Sequence, residues 1–163
     1  MLLKLKNKEY LIIDEFKFKC SIGKKGLKLK KKEGDNCTPR GVFKIGKVYY
    51  RPDRIKKLDT ILKTKAITKN MGWCDDPYNK NYNKEIILNK KNKGEKLFRK
   101  DNVYDILIVI EYNTKKTQPF KGSAIFIHLT KNYSFTKGCI ALKKNDLLIL
   151  LKIIDRKSKI KIC

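Results

Sequence analysis

The chain has 163 residues and 41% of them are hydrophobic, enough for one domain with a real core and too many for a disordered chain. It carries 41 Lys and Arg against 16 Asp and Glu, a formal charge of +25, so non-specific binding to polyanions such as nucleic acid, anionic lipid or an anionic polymer is expected. Only five of the basic residues are arginine, which points to diffuse lysine charge rather than bidentate readout of bases, and the joint abundance of Lys, Asn and Ile fits an AT-rich coding bias equally well.

Residues 2–6 alternate Leu and Lys, the pattern of a half-exposed strand. Asn7-Lys8 reads as a turn, and residues 10–13 and 16–20 as further strands of a small meander with one wet face. Gly23 to Gly26 punctuates the chain, and residues 27–30 alternate again. Residues 33–41 are a turn-rich loop and residues 42–50 return to strand composition. Residues 70–83 read as a second long loop that holds the only Trp, with Asp75-Asp76-Pro77 as a turn. Residues 104–112 are rich in β-branched residues and apolar for five in a row, which predicts a central strand. Residues 113–121 read as a polar crossover, and residues 124–128 as the next core strand. Residues 143–154 place Leu147, Leu148, Leu150, Leu151 and Ile154 at helical spacing, with Asn145 or Asp146 near the start. Residues 159–162 close the chain as a last strand, and there is no internal repeat. The pattern predicts a mainly β protein with one or two short helices.

No run of about 18 apolar residues is present, so no transmembrane helix is expected. The first residues lack the continuous apolar region of a secretory signal, which leaves the cytoplasm open as a location. The five cysteines (Cys20, Cys37, Cys74, Cys139, Cys163) form no Cys-x-x-Cys pair, and one histidine cannot complete a common zinc set, so no structural metal is expected. The odd count leaves at least one free thiol; any pairing of the others is open.

That one histidine, His128, ends the apolar run before a ten-residue loop that returns to Gly138-Cys139. The loop is long enough to bring the two side chains together. A thiol needs a neighbouring base to become the attacking thiolate, and imidazole suits that task. This reading expects Cys139 to alkylate faster than the other thiols at neutral pH. Gly138 allows backbone N–H groups to be aimed at an oxyanion. The blander reading is a small buried cysteine and an unrelated histidine.

Gly122-Ser-Ala-Ile-Phe-Ile-His128 followed by Thr136-Lys-Gly-Cys-Ile-Ala-Leu142 resembles the L,D-transpeptidase (YkuD-like) catalytic domain. The likeness runs most strongly over residues 18–154 and includes Thr38-Pro39-Arg40-Gly41-Val42-Phe43, Gly72-Trp73-Cys74-Asp75-Asp76-Pro77, Tyr82-Asn83, Glu95-Lys96-Leu97 and Tyr104-Asp105. These latter words resemble a subgroup of small, stand-alone members. The resemblance implies one catalytic domain over 1–163 with a YkuD-like β-sandwich. It implies a cysteine acyltransferase acting on peptidoglycan stem peptides, with Cys139 as nucleophile, His128 as base, and the backbone N–H of Cys139, with that of Gly138 as a second candidate, holding the oxyanion; nothing in that mechanism calls for a metal or an organic cofactor. D-Alanine would be released and a cross-link formed through a thioester. Thr136, Lys137, Trp73, Tyr82 and Asn83 become candidate substrate-binding residues. The periplasm or cell envelope and a monomer are expected.

Many members carry an Arg two residues after the cysteine; here Ala141 stands there, leaving Lys137, Lys143 and Arg40 as cations that could meet a substrate carboxylate. The rival readings are a carboxypeptidase or other hydrolase using the same Cys/His pair, and a non-catalytic cationic module for nucleic acid or an anionic polymer. The group that orients His128 is not visible in the sequence; a backbone carbonyl is one option.

Overall fold

The computed structural model describes residues 1–29 and 31–163. The opening meander is β1 (Leu2–Lys6), β2 (Tyr10–Ile13) and β3 (Phe16–Ser21), paired antiparallel in that order. Left-handed φ values at Asn7 and Lys8 make the first turn tight. Of the alternation expected at 27–30, β4 (Leu27–Lys28) is a strand, and residue 30 lies outside the described residues. It runs parallel to β5 (Thr38–Pro39). The long β6 (Gly41–Tyr50) is followed by β7 (Thr64–Ala66), β8 (Met71–Trp73), β9 (Glu85–Ile87) and β10 (Glu95–Lys96). Then come β11 (Ile106–Ile110), β12 (Phe126–Leu129), β13 (Ile140–Leu142), helix α1 (Lys144–Ile153) and β14 (Lys159–Ile162).

The main sheet has the order β11-β12-β13-β3-β2-β1-β14-β6-β7, and β6 also pairs with β11. That pairing joins β11, at one end of the order, to β6, one strand in from the other end, and closes a flattened ring of two packed sheets with β7 on its edge. Two strands turn its corners. β3 pairs β2 through residues 16–19 and β13 through Cys20 and Ser21. β6 pairs β14 through residues 41–44 and β11 through residues 45–50, with a bulge between Ile108 and Ile110. Bulges bend and twist a strand, which suits a corner.

β11 is buried along its whole length, as its unbroken apolar run predicts. Ile106, Ile108 and Ile110 enter the core between the sheets, while Leu107 and Val109 face a second cluster on the outer side. The small sheet β10-β8-β9 covers that side and brings Trp73 against Phe126 and Tyr49. Leu147, Leu150 and Leu151 of α1 fill the inter-sheet core. Truncating one of these leucines to Ala costs about 2–5 kcal/mol.

Two expectations are corrected. Residues 113–121 are not a crossover: β11 and β12 are antiparallel neighbours, so the segment is a hairpin connection. Residues 70–83 are not all loop, because Met71–Trp73 pairs with β9 and β10. Three residues carry no readable period, and both partners lie further along the chain. The mainly β fold with one helix among the described residues agrees with expectation.

Candidate active site

β12 and β13 run parallel, with Ile127 opposite Ile140 and His128 opposite Ala141. Side chains alternate along a strand, so Phe126 and His128 share one face with Cys139 and Ala141. Ile127, Leu129, Ile140 and Leu142 point the other way, into the inter-sheet core. Parallel pairing thus sets His128 and Cys139 on one wall. Both line a cleft of about 640 Å3 on the outer side of this sheet, together with Thr136, Lys137 and Gly138.

Gly138 adopts φ +143, and a Cβ there would stand 2.8 Å from the Cys37 carbonyl oxygen. Conformation and space therefore both require glycine. Thr136 ties the turn: its Oγ1 donates to the Cys139 carbonyl at 2.6 Å and accepts from the Gly138 N–H at 3.1 Å. Its backbone is held in turn by Ile22 and Lys24. Its observed contacts are thus with the Gly138-Cys139 turn.

The Cys139 thiol donates to the Ala124 carbonyl at 3.2 Å and accepts from the Phe126 N–H at 3.3 Å. Burial pushes its pKa up to about 12. His128 Nδ1 lies 2.9 Å from the Leu129 carbonyl, an acceptor only, so the ring proton sits on Nδ1 and Nε2 is the basic nitrogen. The orienting group is thus a backbone carbonyl. Burial lowers the His128 pKa to about 4, with Arg99 acting in the same direction. Burial thus favours the neutral thiol and the neutral imidazole in the free protein. Burial in an apolar wall opposes both charges, and spacing in the sequence does not reveal it.

Three expected groove residues lie behind the wall. Trp73 is buried and donates through Nε1 to Asn83 Oδ1 at 3.0 Å. Asn83, itself left-handed at φ 57, accepts the Ala124 N–H at 3.0 Å on the same oxygen. Its Nδ2 donates to the Tyr112 and Asn113 carbonyls at 3.0 and 2.7 Å. Ala124 is held at φ 52, which directs its carbonyl to the thiol. Tyr82 donates to Glu33 and accepts from the Gly122 N–H. Trp73, Tyr82 and Asn83 therefore shape residues 122–124 rather than line the cleft.

Of the cations considered beside Ala141, only Lys137 lines the cleft. Lys143 lies over the Tyr133 ring instead, and Arg40 is exposed elsewhere. Sequence reasoning missed Arg99, which also lines the cleft. Its guanidinium lies 5.2 Å from the Tyr104 ring centre, and Nε and Nη2 grip Asp101 at 2.8 and 2.6 Å. Tyr104 packs edge-on to His128, with ring centres 5.3 Å apart, and donates to Glu95 at 2.5 Å. Burial raises the Glu95 carboxyl pKa. Arg99 sits in a polar loop without periodicity, so no local pattern marks it.

All five cysteines are free thiols, and only Cys163 is exposed. No group of three or more His, Cys, Asp or Glu among the described residues could hold a metal ion. No helix among them is long and apolar enough to cross a membrane.

A β-sandwich that carries a Gly-Cys turn and a carbonyl-oriented histidine on adjacent parallel strands defines a class of cysteine-histidine cleft proteins. The model of the YkuD family, the L,D-transpeptidase catalytic domain, matches residues 4–162, and the chain belongs to that family. No curated protein and no solved structure matches it significantly.

Proposed function

We propose that the protein is a cysteine acyltransferase acting on peptidoglycan stem peptides in the cell envelope. The observation that carries this reading is the shared wall: the buried Cys139 thiol and the His128 imidazole open into one cleft, with Nδ1 of His128 fixed by a carbonyl. The Sγ–H leaves the Ala124 carbonyl and passes its proton to His128 Nε2 as Sγ bonds to the scissile carbonyl carbon. His128 then protonates the departing amine as the C–N bond breaks, leaving a thioester on Cys139. An amine of a second stem attacks the thioester, gives up its proton to His128 and frees the thiol.

The Gly138 N–H is occupied by Thr136 Oγ1, so the Cys139 N–H is the backbone donor assigned to the oxyanion. The leaving D-amino acid carries a free carboxylate one residue from the reacting carbon. Arg99 is the cleft's guanidinium and takes the place of the charge that Ala141 lacks.

Intact mass after incubation with a stem tetrapeptide tests the reading. An adduct on Cys139, formed with loss of D-alanine and absent in Cys139→Ala, is expected. Turnover that persists in Cys139→Ala would sink it.

A further inference from the structure

The outer face of the first sheet has an unusual composition. Strands β3, β2, β1, β14 and the first half of β6 lie side by side there. The outward positions of β1 are Leu2, Lys4 and Lys6. β14 presents Lys159 and Lys161, and β3 presents Lys17 and Lys19. β2 adds half-buried Tyr10 and Ile12, and β6 adds Val42 and Lys44. Every outward strand position on this face is therefore a lysine or an apolar or aromatic residue, and none is acidic.

The register sharpens this. Lys4 lies directly opposite Lys161, and Lys159 directly opposite Lys44. Like charges in directly opposed positions destabilise a sheet. Among the described residues none of the seven lysines on this face forms an ion pair, although ion pairs elsewhere use Lys28, Lys31, Lys65 and Lys152. Coding bias would scatter lysine over all surfaces and does not account for acid-free rows.

We infer that this face docks on an anionic lipid bilayer. Three features favour a bilayer over a soluble polyanion. The face is a sheet, broad rather than grooved. Its cations are all lysines, which act as point charges on long stems and reach toward headgroups, whereas bidentate phosphate recognition selects arginine. Its lysines alternate with Leu2, Ile12, Val42 and Tyr10, of which Leu2 is 39% and Val42 55% exposed. Charge attracts the face to the headgroups while the apolar residues meet the interface. The cleft lies on the outer side of the other sheet, so docking leaves Cys139 and His128 facing away from the membrane. The inference does not depend on the chemistry at Cys139.

The test is co-sedimentation of the full chain with phosphatidylcholine vesicles, with and without about one-third phosphatidylglycerol. Binding is expected only to the anionic vesicles and falls with salt. Each lysine near an anionic surface is worth about fivefold in binding, so joint replacement of Lys4, Lys44, Lys159 and Lys161 by Gln is expected to weaken it by roughly several hundredfold. That variant removes two like-charge pairs and keeps or gains thermal stability, so loss of binding is not loss of fold. A control with Lys63, Lys90, Lys91 and Lys115 changed to Gln is expected to stay within a few-fold of the original. Equal loss in both variants would show diffuse charge and overturn the assignment of this face. So would absence of binding to anionic vesicles while a soluble single-stranded polynucleotide binds through the same four lysines. Cys139→Ala binds vesicles as the parent does.

Discussion

Thr136 Oγ1 donates to the Cys139 carbonyl at 2.6 Å while it accepts the Gly138 N–H, so one hydroxyl fixes both residues of the Gly-Cys turn. Removing it frees a turn that must present Sγ and the Cys139 N–H together. Thr136→Ala is expected to lower kcat/KM by roughly tenfold, about the worth of one or two neutral hydrogen bonds. Thr136→Ser keeps the hydroxyl and is expected to restore most of it. Steady-state turnover of a stem tetrapeptide checks both, and an inactive Ser variant would show that the methyl group matters instead.

The thiols separate by burial. Cys139 is held neutral, with its pKa near 12, whereas Cys163 is exposed. Peptide mapping after brief treatment of the free protein with iodoacetamide at neutral pH is expected to find label on Cys163 first and little on Cys139. Acylation by a tetrapeptide is expected to reverse that order, because the substrate fills the cleft beside His128. Fast alkylation of free Cys139 would mean that the resting pair is charged.

The strands and the Cys/His pair were legible because their signals are local: period two in β1, an unbroken apolar run in β11, one histidine before one Gly-Cys. The parallel pairing of β12 with β13 was not, since register between strands joined by a loop has no local mark. Trp73 and Asn83 were misplaced for a related reason. They were groove candidates only through the family resemblance of their segment, yet pairing with β9 and β10 folds Trp73 inward and lets Asn83 bond Ala124. Arg99 is set at the cleft by Asp101 and the Tyr104 ring, within a short irregular loop that carries no periodic signal.

That Asn83–Ala124 bond makes a prediction about stability. Asn83 accepts two hydrogen bonds and donates two, all within a left-handed residue that asparagine tolerates better than most. Asn83→Ala is expected to destabilise the fold by about 3 kcal/mol or more, because it strands several buried partners. Denaturant unfolding measures it. A change under about 1 kcal/mol would show that water replaces the amide.

His128 sets an acid-side dependence. Its pKa falls from 6.5 to about 4 in the folded protein, so the unfolded chain takes up the proton first as pH drops. The stability from keeping His128 neutral is complete above about pH 6.5 and is lost as pH falls toward about 4, with a total of roughly 3 kcal/mol. Carboxylates titrate in the same region, so the comparison is with His128→Gln. The stability difference between the two proteins is expected to shift against the parent between pH 7 and pH 4. The acid limb of kcat/KM is expected near pH 4 rather than 6.5, since it reports the base in the free enzyme. An acid limb at 6.5 would place the base in water rather than in the apolar wall.

Arg99 gives the sharpest separation of substrate recognition from folding. Nε and Nη2 are committed to Asp101, an arrangement that orients the guanidinium at the cleft beside Tyr104. A charge-assisted contact from it to a substrate carboxylate is worth about 1.5–3 kcal/mol. Arg99→Ala is therefore expected to lower kcat/KM for a tetrapeptide with a free C-terminal carboxylate by roughly 10- to 100-fold. On the same peptide ending in a carboxamide the loss is expected to be only a few-fold, and Arg99→Lys is expected to fall between. Equal losses on both peptides would show that Arg99 serves the wall and not the carboxylate, and the cleft lysines Lys31, Lys131 and Lys137 would then be the remaining candidates for that group.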